Sequence, residues 1–138
     1  MKKIIKYAVL FFITLVFAAC ATTNFKVADK YNLDNELKEA TEVNSFRIDS
    51  WESIDLQSLI LKADFNNYYL VILNRPAIAL PSSESIGYTV SIDRVKKGFD
   101  SIVVADSSGT ESYIIHKIYK LDSRKQATEI KNRLKKNM

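Results

Sequence analysis

Residues 58–74 read SLILKADFNNYYLVILN, and this stretch decides the predicted fold class. In its first half, Leu59, Leu61 and Ala63 recur at every second position, which is the period of a strand with one buried face. Its second half, residues 68–73, is a continuous apolar run short enough for a strand covered on both faces. This second strand is therefore predicted to lie at the centre of a sheet.

Shorter stretches on either side repeat the alternation of apolar and polar residues. They predict further strands at residues 46–48, 86–92, 102–105 and 113–119. Residues 106–109, Asp-Ser-Ser-Gly, are the predicted hairpin loop between the last two strands. Strands a few residues apart, with no long helical pattern between them, are typical of an antiparallel meander. We expect a mainly β fold, a small meander curled into a roll or barrel, with an α+β arrangement as the alternative.

Helical spacing occurs in two places. Ser123 and Gln126 have the spacing of a capping box, and apolar residues then recur at intervals of three and four. These apolar residues are Ala127, Ile130 and Leu134. A peripheral helix over residues 123–135 is predicted, outside the sheet because its apolar stripe is narrow. A weaker stripe over residues 32–42 predicts a short second helix.

The first twenty residues have the layout of an exported bacterial lipoprotein. A basic start precedes an apolar stretch about half as long as the roughly 20 residues of a membrane span, as in a secretory signal. The run Phe17-Ala18-Ala19-Cys20 resembles the lipobox of bacterial lipoproteins, whose cysteine carries diacylglycerol and an acyl chain such as palmitate. An uncleaved anchor with a chance cysteine is the alternative. The predicted segments are a signal peptide at 1–19, a lipidated tether at 20–31 and a single domain at 32–138.

Cys20 is the only cysteine in the chain. If lipid occupies its sulfur, the exported domain has no disulfide and depends on its core for stability. Three of the twenty basic residues and none of the sixteen acidic ones precede Cys20, so the net charge of +4 becomes +1 after cleavage. The basic residues that remain are concentrated in residues 117–138, on an otherwise acidic body. This balance does not indicate nucleic-acid binding.

Acidic residues are densest at Asp49, Glu52 and Asp55. Such carboxylates can bind calcium or act as acid and base, but the stretch lacks the glycine of a calcium loop, so solvated loop and edge positions are favoured. Trp51, between them, is expected to anchor the core. His116 lies in a predicted strand without the ligands of a zinc site or the serine turn of a hydrolase, so an ordinary strand histidine is favoured. We expect no catalytic residue, metal or cofactor.

The predicted C-terminal helix carries basic side chains that could contact anionic lipid headgroups, each contact being worth about 1 kcal/mol. They are Arg124, Lys125, Lys131, Arg133, Lys135 and Lys136. Because the apolar stripe is too narrow for firm insertion into a membrane, a solvated helix that balances an acidic body is the favoured interpretation. Contact with lipid remains the alternative.

Between residues 44 and 122 a set of features follows in a distinctive order. They are Phe46, Trp51, Asp55, residues 69–73, Pro76, Leu80, Asp100, Ile115, Ile118 and Leu121. This order resembles DUF6491, an uncharacterised family of small bacterial envelope lipoproteins. The resemblance implies a lipid-anchored periplasmic domain and supplies no activity. It also implies a disulfide between strands where this chain has Ala77 and Tyr113, a small and a large residue that could fill the same space.

These patterns together predict a bacterial envelope protein that faces the periplasm and is attached to a membrane by lipid. Ala21 differs from the aspartate pattern of lipoproteins kept at the inner membrane, so the outer membrane is expected if the cell has two. The leading hypothesis for the domain is a noncatalytic binding or structural module whose partner is an unidentified envelope protein or component. A carrier with an apolar cavity for a small ligand or lipid is the alternative, and an enzyme comes third.

Overall fold

The structure, a computed structural model, describes residues 25–137, and its main feature is a seven-stranded antiparallel sheet. The strands are β1 (Lys38–Ala40), β2 (Glu42–Asn44), β3 (Ile48–Ser53), β4 (Ser58–Ala63), β5 (Asn67–Leu73), β6 (Ile86–Tyr88), β7 (Arg94–Lys96), β8 (Ser101–Asp106) and β9 (Gly109–Leu121). The large sheet has the order β3-β4-β5-β9-β8-β6, β1 also pairs with β9, and β2 and β7 form a separate pair. The sheet curls into a half-barrel, which confirms the predicted mainly β class.

The strand β5 is the central strand that the sequence predicts. It pairs with β4 on one side and with β9 on the other. Residues 70–73 are completely buried because both faces of the sheet are covered there. Alternate side chains enter two separate clusters, with Val71 and Leu73 in one and Leu70 and Ile72 in the other.

Each face of the sheet has its own cover. On the roll face, β5 packs with Val43 of β2, Val95 of β7 and Leu80 of the 3-10 turn Leu80–Ser82. On the opposite face, here called the helix face, it packs with the C-terminal helix and with residues 25–37, here called the N-terminal arm. The two hydrophobic layers explain why β5 is apolar at every position from Tyr68 to Leu73 while the outer strands alternate.

The long strand β9 connects the two halves of the fold. Tyr119 pairs with Leu70 of β5 and also with Glu39 of β1, so β5 and β1 lie on opposite edges of β9. The pairing with β5 skips His116, which is therefore the extra residue of a β-bulge. The bulge places Ile115 and Ile118 on the same face although they are three residues apart.

The hairpin predicted at residues 106–109 is confirmed. Asp106 pairs with Gly109 across a two-residue loop at the end of β8 and β9. The Asp106 carboxylate accepts hydrogen bonds from the backbone N–H groups of Ser108 at 2.7 Å and Gly109 at 3.1 Å. Because these local bonds close the loop, its position was readable from the sequence.

The predicted C-terminal helix is also confirmed, as α1 (Arg124–Lys136). Ser123 Oγ accepts from the backbone N–H of Gln126 at 3.2 Å, and the Gln126 side chain accepts in return from the backbone N–H of Asp122 at 2.6 Å. This exchange is a capping box displaced by one residue. The predicted apolar stripe is buried on the helix face, and it consists of Ala127, Ile130 and Leu134.

The short helix predicted over residues 32–42 is wrong. Residues 33–37 make one turn, in which the N–H of Leu37 donates to the carbonyl oxygen of Leu33 at 2.9 Å. Lys38–Ala40 then pair with β9 as β1. The open edge of β9 offers these residues backbone hydrogen bonds, and this long-range pairing overrides a weak helical stripe.

The strand predicted over residues 86–92 ends early, at Tyr88. Beyond it the buried carboxylate of Asp100 accepts hydrogen bonds from the hydroxyls of Thr89 at 3.2 Å and Ser91 at 3.0 Å. These bonds hold the segment in a bend, so the alternation of residue types continues after the strand has stopped. Ile92 follows with a φ of 51° and is 87% exposed.

The strand predicted at residues 46–48 begins only at Ile48. Ser45–Arg47 form a short 3-10 turn instead. The N–H and hydroxyl of Ser45 both donate to the carbonyl oxygen of Asp93, at 3.1 and 2.9 Å, and these contacts fix the turn. A partner 48 residues away in the sequence gives no local signal, so the alternation alone was misleading.

The predicted boundary between tether and domain also shifts. Asp29–Tyr31 form a 3-10 turn and Tyr31 is buried, so the packed chain begins before the predicted start at residue 32. The predicted signal peptide and Cys20 lie outside the described residues. Within residues 25–137, no helix combines the length and apolarity needed to cross a membrane.

The two ends of the sheet differ in what lies beside them. At the arm end, β3 turns into β4 through residues 54–57, and the N-terminal arm crosses there. At the far end, β4 turns into β5 through residues 64–66, about 20 Å away along the six residues of β4. The helix α1 starts at the far end, after Leu121, and reaches Glu52 near the arm end through Lys131.

Candidate functional site at the arm end

A buried carboxylate, that of Asp55, lies at the centre of the arm end. Its Oδ2 accepts hydrogen bonds from Lys30 Nζ at 3.0 Å and Tyr31 Oη at 2.8 Å. Its Oδ1 accepts from the backbone N–H of Gln57 at 2.9 Å and from Ser58 Oγ at 2.8 Å. These five residues join the N-terminal arm to the turn between β3 and β4, and we call them the Asp55 clasp.

The surroundings of the clasp set the charges of its two acidic groups. Burial tends to raise the pKa of Asp55, but the hydrogen bonds from Gln57, Lys30, Ser58 and Tyr31 outweigh it and lower the pKa below its ordinary value. The pKa of Tyr31 is raised, first by burial and then by the Asp55 carboxylate. At neutral pH the clasp therefore contains a carboxylate and a neutral phenol. Four donors occupy the carboxylate, which suits it to hold the arm and not to accept a proton from a substrate.

A second set of polar contacts fastens the arm one turn further on. Tyr119 Oη donates to Asp34 Oδ1 at 2.8 Å and accepts from the backbone N–H of Leu33 at 3.1 Å. Lys117 Nζ donates to both oxygens of Asp34, at 2.7 and 2.6 Å. Burial raises the pKa of Tyr119, which keeps its phenol neutral. The arm is thus held to β9 as well as to the β3–β4 turn.

Exposed apolar side chains occur in the segments that meet at the clasp. Phe25 is 61% exposed, Leu56 43% and Ile78 82%. The backbone N–H of Ala77 donates to the carbonyl oxygen of Leu56 at 2.6 Å, which places the segment before Ile78 beside the β3–β4 turn. A shallow pocket of about 250 Å³ lies here, and Leu56 and Pro76 are among the residues that line it. We call Phe25, Leu56, Pro76 and Ile78 the apolar rim.

The six basic residues predicted to contact lipid headgroups have different surroundings. Three of them contact carboxylates: Lys131 with Glu52, Arg133 with Glu36 at 2.6 Å, and Lys125 with Glu129 at 4.0 Å. Arg124 lines a groove beside β3. Lys135 and Lys136, in the last turn of α1, make no ion pair with any residue of the described chain. Their contact with lipid stays a prediction.

The groove beside β3 lies between this edge strand and α1 and has a volume of about 430 Å³. Trp51, Lys62, Tyr68 and Arg124 are among the residues that line it. Trp51 is half-buried and packs against the roll-face cluster, as predicted for a core anchor. Ile60 and Tyr68 belong to the helix-face cluster, so the groove lies on the helix face and combines the Tyr68 side chain with two cations along an open edge of the sheet.

The three carboxylates of the predicted acidic cluster do not converge. Asp49 and Glu52 are exposed, as predicted, and Glu52 contacts Lys131. The prediction of a solvated position is wrong for Asp55, because four hydrogen-bond donors replace the water that burial removes. The three residues share no hydrogen-bond partner. Within the described chain, no group of three His, Cys, Asp or Glu side chains could hold a metal ion.

His116 is exposed at the bulge of β9. Burial of part of the ring, followed by the nearby Lys117, lowers the pKa of His116 below its ordinary value. In the part of the chain that the structure describes, its ring takes part in no hydrogen bond or ion pair. The arrangement matches an ordinary strand histidine.

Of the clasp, the sequence interpretation singled out only Asp55 and missed Lys30, Tyr31, Gln57 and Ser58. Asp55 accepts hydrogen bonds from Gln57 and Ser58, two and three residues further along the chain, as an aspartate does at the start of a turn. This part of the clasp therefore had a local signal in the sequence. Tyr31 lies 24 residues from Asp55 in the sequence. Only the folded chain brings the two together.

Ala77 and Tyr113, the positions where the resemblance implies cysteines, are both buried in the roll-face cluster. The neighbouring Arg75 places its guanidinium 4.2 Å from the centre of the Tyr113 ring. The N–H of Asn74 donates to the carbonyl oxygen of Ile114 at 2.9 Å, which joins this segment to β9. Packing and backbone contacts thus connect the two segments here.

A family model described as a family of unknown function (DUF6491) matches residues 1–137. No curated protein and no solved structure matches the chain.

Proposed function

The chain belongs to the family of unknown function DUF6491, and we propose that it is a bacterial envelope lipoprotein whose folded part is a noncatalytic binding module. Lipid on Cys20 would attach it to a membrane, facing the periplasm. The observation that carries the proposal is the run Phe17-Ala18-Ala19-Cys20, placed after a basic and apolar leader and five residues before the packed arm.

The structure of the arm supports this arrangement. An anchored domain needs its first packed segment to withstand pulling from the tether, and the arm is fastened at both Asp55 and Tyr119. The polar groups at the arm end are engaged in these fastenings. Their arrangement favours a supporting role over a catalytic one.

The groove between β3 and α1 is the surface we propose for partner binding. It lies along an edge strand, where a partner chain can add backbone hydrogen bonds. Its cations, Lys62 and Arg124, favour a partner with acidic groups. The aromatic ring of Tyr68 offers rigid contact area beside them.

A carrier function is less well supported than binding at a surface. A ligand cavity within the sheet would leave accessible area on the side chains that line it. The side chains at the centre of the roll face have none, among them those of Leu59, Ile102 and Ile118. We therefore propose the binding module and not the carrier.

The anchor is tested by replacing the lipidated residue. The full chain with Cys20→Ser should accumulate in cells as a larger precursor. It should carry no radioactive palmitate, because serine lacks the thiol that accepts the diacylglycerol. The matched variant Thr22→Ser should be processed and labelled like the unchanged chain. Equal labelling of Cys20→Ser and the unchanged chain would reject lipidation at this residue.

Globomycin, which blocks the lipoprotein peptidase, provides an independent measurement. The unchanged chain should shift to the precursor size when the inhibitor is present. A chain whose size does not respond to the inhibitor would contradict the proposal.

A further inference from the structure

The path from Cys20 to the folded domain is short. Six residues lie between Cys20 and Val27, the first arm residue that packs on the helix face, and a fully extended chain spans at most about 25 Å from one to the other. The arm beyond Phe25 is fixed to the sheet by the Asp55 clasp and by Tyr119. Lipid on Cys20 would therefore hold the arm end close to the bilayer, whereas the far end lies about 20 Å further along β4.

The apolar rim lies at this same end. Its residues come from three separate segments, namely the arm, the β3–β4 turn and the loop after β5. Leu56 and the segment before Ile78 are held together by the hydrogen bond from Ala77 to Leu56. Large apolar side chains in exposed turns lose contact with water when they enter the interfacial region of a membrane, which favours binding.

Basic side chains accompany the rim. Lys26 belongs to the arm, and Lys135 and Lys136 end the helix α1, which runs toward the arm end. None of these three makes an ion pair with a described residue, in contrast to Lys131 and Arg133. Unpaired cations at the same end of the domain as exposed apolar side chains complement the anionic headgroups and the acyl boundary of a bilayer.

From the tether length, the apolar rim and the unpaired lysines together, we infer that the arm end is a membrane-contacting surface that docks on anionic phospholipid. The inference rests on the proposed anchor at Cys20. In the resulting orientation the arm end faces the membrane and the far end faces the periplasm. The groove beside β3 then lies on the side of the domain and stays accessible from the periplasm.

The orientation can be measured with site-specific labels. Lipid on Cys20 consumes the only native thiol, so Leu56→Cys and Ile78→Cys each introduce one reactive group in the mature lipoprotein. Phe65→Cys, at the far end, is the matched control because Phe65 is also an exposed apolar residue in a turn between strands. A nitroxide on each thiol reports its accessibility to oxygen, which partitions into lipid, and to a water-soluble nickel complex.

The quantity compared is the ratio of nickel accessibility to oxygen accessibility for each label. In vesicles of phosphatidylethanolamine and phosphatidylglycerol, this ratio should be several-fold lower at positions 56 and 78 than at position 65. Equal accessibility at both ends would overturn the inference, as would stronger protection at the far end. Adding Lys135→Glu and Lys136→Glu to the Leu56→Cys chain should reverse much of the protection at position 56. Unchanged protection would overturn the role of the lysines.

Failure of the anchor and failure of the docking are distinguishable. Mass spectrometry of the purified protein shows whether Cys20 carries acyl chains. A protein without them rejects the anchor itself. A lipidated protein that inserts into vesicles, but whose labels report the same accessibility at both ends, rejects only the membrane-contacting surface.

Discussion

At the residue scale, two buried aspartates hold segments of the chain in place. Asp55 fastens the arm to the β3–β4 turn, and Asp100 accepts hydrogen bonds from Thr89, Ser91 and the backbone N–H of Lys96. Both aspartates are among the residues that carry the resemblance to DUF6491. At these positions, the family pattern therefore coincides with residues that hold the fold.

Replacing Asp55 with asparagine should lower the free energy of unfolding by about 2–3 kcal/mol at pH 7. The amide cannot accept four hydrogen bonds, and it faces the donors of Lys30 and Tyr31 with an NH₂ group. Urea unfolding followed by circular dichroism measures the change. Asp49→Asn, on an exposed side chain, is the control and should change stability by less than about 0.5 kcal/mol.

The same pair of proteins tests the pH dependence. The folded pKa of Asp55 is lowered, so the stabilisation is present above the ordinary carboxyl pKa of about 4 and is lost as the pH falls through the lower folded value. The stability difference between the unchanged chain and Asp55→Asn should hold from pH 7 to about pH 5 and shrink below about pH 4. A difference that grows on acidification would contradict an ionised clasp.

At the element scale, helix α1 is defined by local signals and positioned by distant ones. The cap at Ser123 and the stripe at Ala127, Ile130 and Leu134 are both visible in the sequence. The contacts of Lys131 with Glu52 and of Arg133 with Glu36 lie on two sides of the helix and connect it to β3 and to the arm. These ion pairs at the surface contribute little to the free energy of folding, but they are consistent with the position of the helix between β3 and the arm.

Removing the cap of α1 should weaken the domain measurably. Ser123→Ala should lower the free energy of unfolding by about 1 kcal/mol, because the N–H of Gln126 loses its acceptor. Ser123→Asp should restore most of this loss because aspartate also accepts from that N–H. Thermal unfolding of the three proteins, with Ser107→Ala in the hairpin loop as control, measures the effect. Equal midpoints for Ser123→Ala and the unchanged chain would contradict the role of the cap.

At the scale of the whole molecule, the two covered faces of the sheet leave the edge strand β3 as an open side beside α1. If the groove there binds a partner, a photo-crosslinking amino acid at Ser50 should give a discrete product in intact envelopes. The same amino acid at Ser107, also an exposed serine, should not give that product. Lys62→Glu combined with Arg124→Glu should remove the product by reversing the charge of the groove.

Two outcomes of that experiment would count against the groove. One is the same set of products from Ser50 and Ser107, which would indicate random encounters in the envelope. The other is a Ser50 product that persists after both cations are reversed. Immunoblotting of the crosslinked envelopes distinguishes these outcomes from the expected one.

Local patterns predicted much of this fold because the responsible interactions are local. The alternation in β4, the continuous apolar run of β5, the loop at residues 106–109 and the cap of α1 depend on neighbours within a few residues. Where a distant partner decides the conformation, the patterns misled. The stripe at residues 32–42 became β1 because β9 offered an open edge, and the alternation after Tyr88 ended in a bend because Asp100 binds its hydroxyls.

The sequence by itself determined the mainly β class, the central strand and the terminal helix, and the proposed anchor at Cys20 rests on it alone. Only the tertiary structure decided which polar groups are buried and which surfaces stay open. Asp55 illustrates the reason, because burying a carboxylate is favourable only when donors replace its water, and Lys30 and Tyr31 reach it only after the arm has folded back. The apolar rim likewise exists only where three distant segments meet.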